Sequence, residues 1–124
     1  MSQSREDYLK FILEQGPLET IPNKVIAMGL GIAPPSVSEM IGKLSQEGLV
    51  EYIPYRGAKL TEMGLNQAEN LIRKHEIWEY FLAERLGYTD QEVHDLAEVL
   101  EHVTPDDLAD RLADYISFPE DVGD

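Results

Sequence analysis

Between Glu62 and Leu86 the chain carries no proline, and Leu65, Ala68, Leu71, Ile72, His75, Trp78, Phe81 and Leu82 recur at helical spacing. The run predicts a helix of about six turns, long for a chain of 124 residues. A helix of that length exceeds what one small domain can bury. It is expected to leave a first folded unit and to begin a second.

Upstream of it, Ser4 followed by Asp7 suggests a capping box opening a helix over about 5–15, with Tyr8, Phe11 and Ile12 turned inward. Gly16-Pro17 ends that helix, and Pro22-Asn23 starts a short one through about Met28, broken by Gly29 and Gly31. Pro34-Pro35 suit the first turn of a third helix, where a missing N–H costs nothing. Its apolar residues Val37, Met40, Ile41 and Leu44 share one face, and Gly48 closes it. Leu49 to Ile53, a Gly-bearing turn over Pro54-Tyr55-Arg56-Gly57, and Ala58 to Thr61 read as a β-hairpin. Three helices and a hairpin, in that order, make a winged helix-turn-helix. Downstream, Gly87 stops the long helix, and Thr89 with Glu92 forms a capping box for a helix over about 90–103. Thr104-Pro105-Asp106-Asp107 predicts a last helix, with a hydroxyl cap and proline at its first position, running to about Ile116. The fold class is therefore mainly α with a small β-hairpin wing. The expected boundaries are a winged-helix domain over 1–64, a helical domain over 65–118 and an acidic tail over 119–124.

A net charge of -14 argues against DNA binding until its distribution is read. Residues 1–64 carry six basic and eight acidic groups, whereas residues 65–124 carry four basic and sixteen acidic groups and all three histidines. The near-neutral half is the one with the winged-helix pattern. Its candidate reading helix begins with Pro34, Pro35, Ser36, Ser38 and Glu39 and continues to Lys43; small residues there permit close approach to phosphates and thymine methyls. Arg56 and Lys59 on the hairpin are placed to touch the backbone beside the groove.

The acidic half carries a pattern suited to a cation. His94, Glu98, Glu101 and His102 are three and four residues apart on one helix, and His75 and Glu79 are four apart on the long helix. Asp7 lies in the first turn of the first helix. With no cysteine in the chain, any metal must be held by nitrogen and oxygen, a donor set that suits manganese, iron(II) or zinc. Enzyme patterns are missing: His75-Glu76 is not followed by a second His at zinc-protease spacing, and there is no phosphate loop or nucleophile elbow. No run of about 18 apolar residues and no secretory signal is present, so a cytoplasmic location without membrane association is expected.

The sequence resembles the diphtheria toxin repressor family, above all its manganese-responsive branch. The likeness is carried, in order along nearly the whole chain, by Glu6-Asp7-Tyr8-Leu9-Lys10, Asn23-Lys24, Pro34-Pro35-Ser36-Val37-Ser38-Glu39-Met40, Tyr55-Arg56-Gly57, Leu60-Thr61, Arg73-Lys74-His75, Val93-His94 and Glu98-Val99-Leu100-Glu101-His102. The resemblance implies a homodimer that binds a palindromic double-stranded operator and represses metal-uptake genes when the ion is abundant, with no small organic substrate. It implies that the second domain serves both metal binding and dimerisation. One metal site would use Asp7, Glu98, Glu101 and His102, and a second His75, Glu79 and His94, with Glu98 able to bridge. Since Asp7 lies on the DNA-binding domain, an ion held with the other ligands would tie the two domains together. Glu98 stands where iron-responsive members carry Cys, which favours Mn2+ over the alternatives Fe2+ and Zn2+. Lys10 departs from the Met or Glu ligand of other members, and longer members add an SH3-like third domain. The competing readings are an iron(II)-dependent repressor of the same build and a metal-independent winged-helix regulator.

Overall fold

The computed structural model describes residues 2–120. In chain order its elements are α1 (Ser2–Gln15), α2 (Asn23–Leu30), α3 (Pro34–Gln46), β1 (Val50–Ile53), β2 (Gly57–Leu60), α4 (Glu62–Glu84), α5 (Asp90–Leu100) and α6 (Asp106–Tyr115). The chain divides into two compact units, Met1–Asn70 and Leu71–Asp124, and the division falls inside α4. No single helix among the described residues is long and apolar enough to cross a membrane.

In the N-terminal unit, α1 contributes Tyr8, Leu9 and Ile12, α2 Ile26 and Ala27, and α3 Val37, Ile41 and Leu44 to one core, which Leu49, Val50, Ala58, Leu60 and Ala68 complete. The helix starts at Ser2 rather than near residue 5, so Ser4 lies within it and cannot be the cap expected there. Gly31 ends α2 in the left-handed region at φ 66°, and its N–H donates to the Ala27 carbonyl. Ala33 is then extended, and Pro34 follows in the first turn of α3. Across this turn α2 and α3 are bent by 113°, within the range of a helix-turn-helix.

The hairpin pairs Val50 with Leu60 and Ile53 with Gly57. Its turn differs from the expected one: Tyr55, not a glycine, takes the left-handed conformation, at φ 65°. Gly57 instead begins β2, at φ 127°, because its backbone lies against the 21–22 segment, where an added Cβ would sit 2.0 Å from the Ile21 carbonyl oxygen. Ile21 bridges Ala58 through N–H···O bonds of 2.8 and 2.9 Å, an extension of the ribbon that alternation alone does not reveal. Gly57→Ala must both strain the backbone and break this bridge. It should destabilise the protein by about 2–4 kcal/mol, read as a lower denaturant midpoint; an unchanged midpoint would show that the 21–22 segment is not held there. Thr61 caps α4, its hydroxyl accepting from Gly64 N–H at 3.1 Å and donating to the Gly48 carbonyl at 2.6 Å.

In the C-terminal unit, Ile77 of α4 packs with Ala109, Ala113 and Ile116, flanked by Tyr80, Phe81, Leu112 and Phe118. The Thr89–Glu92 capping box forms as expected. Thr104 does not cap α6; the residue before that helix is Pro105, with no side-chain cap. Arg73 donates to both carboxylate oxygens of Glu120, at 2.6 and 3.1 Å, and to Asp110 at 2.9 Å. The guanidinium holds the Glu120 carboxyl below its ordinary range. Glu120 thus belongs to the fold, while 121–124 of the expected tail lie outside the described residues.

Candidate metal centre and DNA-reading face

Helical spacing aligns the ligand candidates locally, and the packing of α4 with α5 does the rest. On α4, His75 and Glu79 are one turn apart, with His75 Nε2 2.9 Å from Glu79 Oε2. On α5, His94 presents its ring to His75, the centroids 5.8 Å apart and nearly edge to face. One ligand atom from each of His75, Glu79 and His94 lies within 4.8 Å of the other two. Two imidazoles and a carboxylate at that spread could hold one divalent cation.

The other ring nitrogen of His75 decides its role. Its Nδ1 meets Glu101 Oε1 at 2.5 Å, and Glu101 is only 1% exposed. If Nδ1–H donates to that carboxylate, Nε2 keeps its lone pair and points it toward Glu79, as a ligand must. Glu101 in turn has its second oxygen 3.4 Å from His102 Nε2. Neither Glu101 nor His102 leaves more than 3% of its side chain exposed. A carboxylate buried this deeply needs positive charge or strong donors about it. The donor set contains no sulfur and fits a hard or borderline divalent ion.

The structure therefore brings together His75, Glu79 and His94, and separately Glu101 and His102, with Glu101 bonded to His75. Glu98 stands on the His94 side of α5, its Oε1 3.5 Å from His94 Nε2. Asp7 is half-buried on α1 in the N-terminal unit. The His75–Glu101 contact escaped the sequence reading, because 26 residues separate the partners and no spacing rule joins two helices.

Of the predicted DNA-reading residues, Pro34, Pro35, Ser36, Ser38, Glu39 and Lys43 on α3 and Arg56 at the wing tip are exposed, and Lys59 is half-buried. Between α3 and the wing runs a groove lined by Asn23, Ser38, Ile41, Gly42, Ser45 and Tyr52. Asn23 and Tyr52 are not among the DNA-reading residues expected from the sequence, where neither stands on the reading helix. Tyr55 projects fully into solvent beside Arg56.

Comparison with known proteins agrees with this anatomy. Residues 1–58 match the family model described as the iron dependent repressor N-terminal DNA binding domain, and residues 61–122 match the iron dependent repressor metal binding and dimerisation domain. An HTH-type transcriptional regulator of Methanocaldococcus jannaschii is 39% identical over 117 residues, covering 90% of this chain and 91% of the relative. The regulator MntR of Oceanobacillus iheyensis is 33% identical, covering 95% and 80% respectively. Among solved structures, the manganese regulator SloR is 43% identical with a TM-score of 0.78, and a manganese-dependent transcriptional repressor in complex with manganese is 37% identical with a TM-score of 0.80. Each of those structures is covered over about half its length, 54% and 53%, by 93% of this chain. Two family models that together span nearly the whole sequence leave one conclusion: the chain belongs to the iron-dependent repressor family, whose members are metal-dependent, DNA-binding transcriptional regulators and not enzymes.

Proposed function

We propose that this chain is a manganese-dependent repressor that, as a homodimer, binds a palindromic operator controlling metal-uptake genes in the cytoplasm. The observation that carries the reading is the sulfur-free cluster at α4 and α5, in which the buried Glu101, just past the end of α5, is bonded to His75 beside Glu79 and the exposed His94. Carboxylate and imidazole donors suit manganese, and two of the similar solved structures are the manganese regulator SloR and a manganese-dependent transcriptional repressor.

His75, Glu79 and His94 would hold one ion, with Glu98 beside them. Glu101 and His102 belong to the second set, to which the family pattern adds Glu98 and Asp7. A divalent cation bound there supplies positive charge in a half of the chain whose formal net charge is -12 by the count of four basic and sixteen acidic groups. The protein's own part is to bury Glu101, to fix the His75 tautomer and to hold the ligands in place without the ion. Ion binding then raises DNA affinity only as far as the ligands fit the ion better in the DNA-competent state. On the DNA side, α3 offers Ser36, Ser38 and Lys43 to a major groove, and Arg56 reaches phosphate.

The experiment is a band-shift titration of a palindromic operator, read with and without Mn2+ and with Fe2+ as the comparison. Manganese should tighten binding by at least about 100-fold, within the range of strong linkage. Equal operator affinity in chelator and in manganese would end the proposal. A response to iron(II) alone would keep the repressor and change its ion.

A further inference from the structure

The hydroxyl of Thr104 has a task other than the helix cap its sequence context suggests. It donates to the Leu100 carbonyl at 2.5 Å and accepts from the indole Nε1–H of Trp78 at 2.8 Å. The residue is 5% exposed, so neither bond is readily replaced by water. Leu100 is the last residue of α5, and its carbonyl also accepts from Val103 N–H at 3.1 Å. The chain that carries Glu101 and His102 is therefore a tight turn closed at Leu100 by Val103 and Thr104. Its far anchor is Trp78, which lies on α4 between His75 and Glu79 in sequence. One hydroxyl joins the backbone beside one pair of ligand candidates to the helix that bears the other.

We propose that Thr104 and Trp78 are positioning residues for the metal centre: their hydrogen bond holds the Glu101–His102 turn in register with His75 and Glu79. The proposal rests on the reading of those four residues as ligands. Only a side chain that donates and accepts at once can fill the place of Thr104. Valine keeps its shape and loses both bonds, and serine restores them. Trp78→Phe removes the indole donor and leaves the hydroxyl in place. Groups that orient ligands without touching the ion commonly change metal affinity by about 10–100-fold.

The test uses the full chain. Free Mn2+ measured by electron paramagnetic resonance gives affinity and stoichiometry for the wild type, Thr104→Val, Thr104→Ser and Trp78→Phe. Trp78 is the only tryptophan, so the indole N–H gives one nuclear magnetic resonance signal that reports its hydrogen bond directly. Thr104→Val should move that signal upfield in metal-free protein and weaken manganese binding about tenfold. Thr104→Ser should stay within about twofold of wild type. Trp78→Phe should bind between wild type and Thr104→Val, and it carries the test if the valine variant does not fold. Wild-type affinity in Thr104→Val, with its indole signal displaced, overturns the positioning role while leaving the ion reading intact. No manganese binding by the wild type overturns both.

Discussion

Glu101→Gln protein should gain clearly less melting temperature from manganese than the wild type, which should gain roughly 10 °C when the ion is supplied at about 100 times its dissociation constant. The size follows from linkage: an ion that binds only the folded state at that excess stabilises it by about 2.7 kcal/mol. Glutamine preserves the volume of the side chain, and its carbonyl oxygen can still accept from His75 Nδ1–H. What it removes is the negative charge. That charge is buried at 1% exposure against two imidazoles, 2.5 Å from His75 and 3.4 Å from His102. Burying a carboxylate costs free energy that its neighbours repay only in part. The metal-free variant should therefore be no less stable than metal-free wild type. Calorimetry in chelator and in manganese measures both quantities, with magnesium as the control for charge screening. A variant that gains as much stability from manganese as the wild type would mean that Glu101 is not a ligand. A variant that unfolds in chelator would mean that the carboxylate is structural.

The parts of this molecule that sequence reveals are those set by local periodicity. The long apolar repeat of α4, the Thr89–Glu92 box and the apolar face of α3 are written within single elements, and each is where its pattern puts it. The His75/Glu79 and His94/Glu98 pairs are legible for the same reason, since residues four apart face one side of a helix. What is not legible depends on partners far along the chain. Thr104 precedes Pro-Asp-Asp and looks like a cap, but an indole 26 residues away takes its hydroxyl. Gly57 looks like the turn residue, but the close approach of Ile21 is what excludes a side chain there, and the wing turns at Tyr55. The bond between His75 and Glu101 depends on how α4 packs on α5, a long-range fact that neither helix contains alone. The unequal charge of the two halves is readable from counting, and the near-neutral half contains residues 1–58, which match the family's DNA binding domain.

Val99→Asp should convert the protein to a monomer and leave its manganese binding nearly unchanged. The three sides of α5 have different surroundings. Val93 and Ala97 are buried within the C-terminal unit. His94 and Glu98 pair on a second side. The third carries Leu96, Val99 and, in the turn that follows, Val103, at 37%, 61% and 68% exposure and at spacings of three and four. A row of aliphatic residues left in water on an otherwise acidic unit needs a covering surface. This unit matches a family model for metal binding and dimerisation, so the covering surface expected is a second copy of the same helix. In a two-fold interface one substitution acts twice, placing two like charges in the apolar contact. Each unpaired buried carboxylate costs several kcal/mol, enough to weaken the dimer by at least about 1,000-fold. Operator affinity should fall with it, because the monomer docks a single reading helix where the dimer docks two. Sedimentation at micromolar concentration gives the assembly state, and the manganese titration gives the ion affinity on the same sample. A variant that remains dimeric would move the interface off this side of α5. A monomer that has also lost manganese would show instead that the ligand side of the helix depends on the partner copy.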